Sequence, residues 1–422
     1  MTEDFLHYIW KRGLYSSLAV NRQIGENIEV LSSGEMNSNA GPDFFNAIIR
    51  IGGTIFAGNV EIHVNSSDWY RHGHHHDRAY DNVILQLVLN RDTEVRRTTG
   101  DIIPTAVLSF DIKLQENYRH LLGNESWIPC QPWINQVDPA LAGGWLDEMA
   151  ILRIEEKAHL VGEIRHYNNN CWEESFYQQL ARNFGFRLNG AVFEMLARSL
   201  PYKFLLRHRD DLFQLEAMLF GQAGMLCENE GDEYFMALKK EYSFLKSKYR
   251  LKPLEKHLWR FLRLRPANFP TVRLSQFAAL LHEKTSLFSS VLNCRDIESL
   301  SSLFRISSSE YWDTHFLFSK PSARHSKSIG VFAIRSLIIN TVVPVLYFYG
   351  KNRQIEEYSK RAIDFLKALP PENNSVITSW SALGIRAGNA FQSQALMQLK
   401  NEFCSYRRCL DCSIGNHIIN VC

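Results

Sequence analysis

The sequence predicts an α+β protein in two parts, a mixed α/β module over residues 1–122 and a helical domain over 139–422, joined by a linker over 123–138. Three observations lead there. A chain of 422 residues is too long for one ordinary core. Apolar residues occur in short β-type runs through about residue 115, then at three-and-four spacing from about Pro139 onward. The dipeptide Gly52-Gly53 sits between two such β-type runs, which is a hairpin signal.

In chain order, residues 4–15 have helical spacing and stop near Gly13. Strands are expected at 28–31, 45–51 and 54–64, the last two flanking the glycine pair. Residues 66–80 open on a serine suited to a helix start. The run Val-Ile-Leu-Gln-Leu-Val-Leu at 83–89 is the most strand-like in the chain, and 105–112 continues in that style. The order is helix, three strands, helix, two strands. The second part predicts helices at 146–166, 173–184, 191–200, 211–221, 233–248, 254–263, 274–283, 329–349, 354–369 and 392–403, with no fixed repeat.

Composition excludes several classes. Hydrophobic (45%) and charged (22%) fractions are those of a globular protein, which sets aside disorder, collagen and coiled coil. The net charge of +2 does not by itself call for nucleic acid, so electrostatic signals must be local. The opening Met-Thr-Glu-Asp-Phe-Leu-His-Tyr-Ile-Trp lacks a basic-then-apolar leader pattern, so a cytoplasmic protein is expected. Residues 329–349 approach membrane-span length, but Arg335 near the middle favours a buried core helix, and no membrane partner is expected.

Chemistry concentrates in four places. The first is acidic. Asp43 opens one hairpin strand, and Glu61 and His63 end the other; two apart, they face the same way. Carboxylates on neighbouring strands are how a protein holds Mg²⁺ or Mn²⁺ for phosphodiester hydrolysis. A two-residue loop at 52–53 puts Asp43 opposite Ile62, facing away; a three-residue loop makes Asp43, Glu61 and His63 converge. Glu35 is a further candidate ligand.

The second is the run His72, His74, His75, His76, from which His72 and His74 are candidates to approach the site and contact a phosphate; imidazoles also suit Zn²⁺ or Mn²⁺. The third is Cys404-x4-Cys409-x2-Cys412, followed by Cys422, a thiolate pattern for Zn²⁺ or an iron–sulfur cluster. The fourth donor is either Cys422 or the distant Cys130. The fourth place is basic: ten Lys/Arg against Glu241 and Glu255 between 239 and 265, interleaved with Tyr242, Phe244, Tyr249, Trp259 and Phe261. Lys246, Lys248, Arg250, Lys252, Arg260 and Arg263 are the candidate contacts to DNA or RNA.

Pro42-Asp43 and Glu61-Ile62-His63, at the start of the second strand and the end of the third, resemble the PD-(D/E)xK nuclease superfamily over roughly residues 1–115. That resemblance implies a restriction-endonuclease-like module and metal-dependent cleavage through Asp43 and Glu61, with His63 standing where the superfamily has lysine. The whole chain is also similar to an uncharacterised bacterial domain-of-unknown-function family. That similarity rests on Asn-Ala-Gly-Pro-Asp-Phe, Gly-Asn-Val-Glu-Ile-His-Val, Trp-Tyr-Arg-His-Gly-His, Trp-Ile-Pro-Cys and Cys-Leu-Asp-Cys-Ser-Ile-Gly. Metal-dependent nuclease chemistry is therefore the leading expectation. A non-catalytic nucleic-acid-binding scaffold and a histidine-based small-substrate metallohydrolase are the alternatives.

Overall fold

Helix α1 (Glu3–Arg12) buries Phe5, Leu6, Tyr8, Ile9 and Trp10 and ends at Gly13, whose φ of 64° suits a residue without Cβ. The computed structural model describes residues 2–20 and 28–421. The chain forms two compact units, one of residues 1–142 with 401–422, the other of residues 143–400. The terminal segment was expected to close the helical domain. It belongs instead to the first unit, because Ile414, Ile418 and Ile419 of its last helix (Ser413–Val421) are buried there and Asn117 Nδ2 donates to Ile419 O.

The first unit is built on a seven-stranded mixed sheet. Its strands are β1 (Ser17–Val20), β2 (Ile28–Ser32), β3 (Glu35–Met36), β4 (Phe44–Ile51), β5 (Thr54–Asn65), β6 (Val83–Asn90) and β7 (Thr105–Ser109). They lie in the order β1-β7-β6-β5-β4-β2, with the short β3 also pairing with β4. β2, β4 and β5 form an antiparallel meander; β6 lies parallel to β5 and β7 parallel to β6. From Gly58 to His63 every residue of β5 is buried, as befits a central strand covered on both faces.

The register of β4 on β5 decides where Asp43 points. Ile51 pairs with Thr54, so the loop is the two-residue Gly52-Gly53 turn. That register holds to Ala47 and Gly58, then slips by one residue to Phe44 and Val60. The slip is a β-bulge with Asn46 in the left-handed region at φ 56°. Gly34 (φ 83°) lies against it so closely that a Cβ would meet Phe45 O at 2.4 Å. One extra residue reverses the parity of everything beyond it. Asp43 therefore sits beside Glu61, even though the loop is the one that, in a regular ladder, would turn it away.

The expected helix at 66–80 is reduced to one turn, α2 (Asp68–Arg71), followed by 3₁₀ turns at His74–His76 and Arg78–Tyr80. Gly73, at φ 78°, breaks it. Trp69, fully buried, packs with Tyr80, Val83, Val95 and Ile103 and donates from Nε1 to Arg96 O at 3.0 Å.

The second unit is predominantly helical. Its core is rich in aromatics, among them Tyr177, Phe184, Phe220, Phe277 and Trp312. The expected helix at 254–263 is absent apart from a 3₁₀ turn at Lys256–Leu258. There Leu254 N donates to Gln222 O and Trp259 Nε1 to Ala223 O, tertiary bonds that replace the helical ladder. A two-stranded ribbon, His315–Leu317 with Lys320–Pro321, was not expected. The run Val331–Arg353 is long and apolar enough to cross a membrane by composition. However, 67% of its most apolar window is buried inside the protein, as a core helix requires.

Candidate active site

The site forms where the end of β5 meets α1 and the α2–β6 connection. Asp43 N donates to Glu61 Oε2 at 3.1 Å, and Ile62 N donates to Asp43 Oδ2 at 2.8 Å. Each carboxylate is thus anchored by the other strand's backbone. Glu61 is 4% exposed, while the Asp43 side chain keeps 24%. Burial raises the pKa of Glu61; the adjacent His74 imidazole opposes this and the Asp43 charge reinforces it.

Imidazoles surround the pair. His7 Nε2 of α1 lies 3.2 Å from Asp43 Oδ2, at ion-pair separation but out of hydrogen-bond alignment. Burial works against its protonation, but the Asp43 carboxylate prevails and raises its pKa. His74 Nε2 is 3.1 Å and His63 Nε2 3.5 Å from Glu61 Oε1. One nitrogen each from His63, His72 and His74 lies within 4.8 Å of the others. The Nε2 atoms of His7, His63 and His74 are buried without an aligned partner among the described residues. Imidazoles with unspent capacity around two carboxylates fit a divalent cation.

His63 is held differently from its neighbours. Thr105 Oγ1 donates to Gln86 Oε1 at 3.1 Å, and Gln86 Nε2 donates to Ser66 O at 3.2 Å. These bonds fix the amide so that Nε2 also donates to His63 Nδ1, at 3.2 Å. The neutral ring must then carry its proton on Nε2, facing Glu61. A metal-bound histidine wants the opposite polarity, donating from its free nitrogen. An ion here would therefore fall to His74 and the carboxylates rather than to His63. Burial, and then His74 and His72, push the His63 pKa down to about 3, so the ring is neutral where lysine would be charged.

Several members of this constellation escaped sequence reasoning. Glu3 and His7 lie one helical turn apart on α1, an i,i+4 pair whose first member lies just outside the helix expected at 4–15. Burial raises the Glu3 pKa, with His72 and Asp43 both in electrostatic range. Tyr80 stacks on His74 with ring centroids 3.8 Å apart, and burial, then Glu61 and Asp43, push its hydroxyl pKa up to about 12. Gln86 carried no signal beyond being the polar residue in an apolar strand.

Other candidates lie elsewhere. Glu35 is exposed on β3 opposite Phe45, and no described contact joins it to the carboxylate pair. His75 packs on Tyr70 and His76 is exposed. Cys130, Cys409 and Cys412 are buried in the first unit, Cys404 is half-buried, and Cys422 lies outside the described residues. Lys246 and Lys248 are exposed on the helix Glu233–Tyr249, Arg250 caps it at φ 54°, and Lys252, Arg260 and Arg263 are exposed on irregular chain. Of the interleaved aromatics, Tyr242 and Trp259 are core, whereas Phe244 is 63% exposed.

The chain belongs to the family described as "Protein of unknown function (DUF2851)", whose model matches residues 3–375. The terminal cysteines lie beyond the matched span. Searches of curated proteins and of solved structures gave no match.

Proposed function

We propose that the first unit is a divalent-metal-dependent phosphodiester hydrolase, a nuclease-like module of the PD-(D/E)xK kind. The observation that carries this reading is the bulge-directed pairing of Asp43 with Glu61 on adjacent strands, beside His74 and the exposed His72. The antiparallel meander followed by a parallel strand supports it. The donor set mixes oxygen and nitrogen, which suits Mn²⁺ or Zn²⁺ better than Mg²⁺ with its demand for oxygen ligands. An ion held by Asp43, Glu61 and His74 would polarise a phosphoryl oxygen and lower the pKa of a water.

The chain's own groups have separate tasks. The two backbone N–H donors and His7 hold the carboxylates in place. His63 acts as a neutral donor orienting Glu61. His72, on the exposed side, contacts the phosphate. On the second unit, Lys246, Lys248, Arg250, Lys252, Arg260 and Arg263 form a sequence-independent surface for DNA or RNA.

The test is cleavage of labelled single- and double-stranded DNA and RNA with Mn²⁺, Zn²⁺, Mg²⁺ or EDTA, comparing wild type with the Asp43→Asn, Glu61→Gln double variant. Metal-dependent cutting lost in the variant is expected; equal or absent cutting in both refutes catalysis on these substrates. One observation favours a second reading, a nucleic-acid-binding scaffold. The lysine position holds a neutral histidine, 1% exposed, that cannot supply a cation. Salt-dependent binding without turnover, unchanged in the double variant, would establish that reading.

A further inference from the structure

A cavity of about 470 Å³ in the second unit is lined by two arginines and, among the described residues, by no aspartate or glutamate. One of the two, Arg273, is a buried cation, 7% exposed. Its Nη1 donates to Gln276 Oε1 at 2.8 Å and its Nη2 to Asn268 Oδ1 at 2.6 Å, both neutral amides. Nε is buried without a partner, and no described carboxylate pairs with the guanidinium. Burial pushes the pKa down to about 10, which leaves the group charged at neutral pH. A buried charge is costly unless it is paired, so the missing anion calls for an explanation.

The chain around Arg273 is built to hold it there. Gln276 Nε2 donates to Lys327 O at 2.8 Å, which fixes that amide with its oxygen toward the guanidinium. Arg273 stands in the first turn of the helix Pro270–Glu283, a turn without acidic residues, at the end where the helix dipole favours an anion. Phe186 covers the guanidinium, with its ring centroid 4.7 Å from Cζ. To do so Phe186 adopts φ 48°, a strained setting for a residue with a bulky side chain. Asn189 then exchanges two hydrogen bonds of 2.9 Å with the backbone of Arg260, which fastens the 260–264 segment to the cavity wall. At the mouth lie the exposed Arg187 and Phe332, the latter 75% exposed.

We propose that this cavity binds a nucleoside monophosphate, with Arg273 and Arg187 holding the phosphate and Phe332 packing on the base. A phosphate supplies the counter-charge that Arg273 lacks, and the planar guanidinium matches its oxygens. The helix N-terminus adds to the same field. An aromatic ring left open to solvent beside two cations offers a stacking face for a base, which a bare anion would not use. The cavity is of the size that takes a small ligand. All of these residues belong to the second unit, so the site is separate from the carboxylate–histidine cluster of the first.

The test is calorimetric titration of the full chain with adenosine monophosphate, adenosine and inorganic phosphate, in EDTA and at constant ionic strength. Wild type runs beside Arg273→Gln, Arg187→Gln, Phe332→Ala and, as a control, the exposed Arg305→Gln. The monophosphate should bind wild type and Arg305→Gln alike. Loss of a charge-assisted contact in Arg273→Gln or Arg187→Gln should weaken it by about tenfold or more. Adenosine should bind weakly to every variant, and Phe332→Ala should weaken the monophosphate but leave inorganic phosphate unchanged. Should Arg273→Gln fail to fold, the exposed Arg187→Gln decides. No binding of the monophosphate to wild type, equal binding of adenosine, or unchanged affinity in Arg187→Gln overturns the proposal. Inorganic phosphate binding as tightly as the monophosphate overturns the assignment of a nucleoside.

Discussion

Acid should unfold the first unit by protonating His63. The ring is 1% exposed, its Nδ1 accepts from Gln86 Nε2, and that amide is pinned by Ser66 O and Thr105 Oγ1. A second ring proton would point one N–H at another in a site that excludes water. The pKa is accordingly about 3 in the fold against 6.5 for an ordinary histidine. Between those values the unfolded chain binds a proton that the folded chain refuses. Stability is therefore intact above about pH 6.5 and falls as pH drops toward 3. The slope is about 1.4 kcal/mol per pH unit and the ceiling about 5 kcal/mol, a large share of the stability of a typical domain. Because the chain has two compact units, whole-chain unfolding is not one transition. Denaturant-dependent amide exchange at Ile62 and Val88, in EDTA, follows the first unit alone. His63→Gln keeps an acceptor for Gln86 but cannot titrate. The stability difference, wild type minus variant, should widen steadily in favour of the variant as pH falls from 6.5 to 4. Parallel profiles would refute the buried-neutral reading of His63.

Asn46→Val should cost the first unit about 1–2 kcal/mol, because a β-branched residue is placed at φ 56°, whereas Asn46→Gly should be close to neutral; urea unfolding of both checks this. Lys157 donates to Asn340 Oδ1 and Gln394 Oε1, and burial, with Arg153 adding, pushes its pKa down to about 7. The unfolded chain keeps that proton up to about pH 10.5, so wild type should gain stability relative to Lys157→Met as pH rises from 7 toward 10, and a constant difference would refute it.

The fold was legible where local pattern and burial agree. The glycine turn at 52–53, the apolar strand at 83–89 and most helices beyond residue 143 lie where periodicity puts them. It was illegible where a single residue overrides periodicity. Asn46 was the visible cue to the bulge, a strand-poor residue that tolerates the left-handed region, but counting parity through the ladder treats it as one more rung. At 254–263 the amphipathic spacing was real, yet Gln222 and Ala223 offered carbonyls to Leu254 and Trp259, and tertiary bonding won. Asp43, Glu61, His63, His72 and His74 were named in advance and do come together. Glu3, His7 and Gln86 join them through packing that no spacing rule reports.

The discontinuity of the first unit has a consequence for how the protein is made. A ribosome delivers all seven strands early, but the helix Ser413–Val421, which covers α3 (Ile112–Gly123) and whose Asn420 donates to Tyr8 of α1, emerges only after the whole helical unit. Until then the nascent sheet domain lacks one wall, leaving uncovered the apolar surface that Ile414, Ile418 and Ile419 later occupy. Vectorial synthesis thus leaves the first unit to be completed only after the helical unit that separates its two segments has been made.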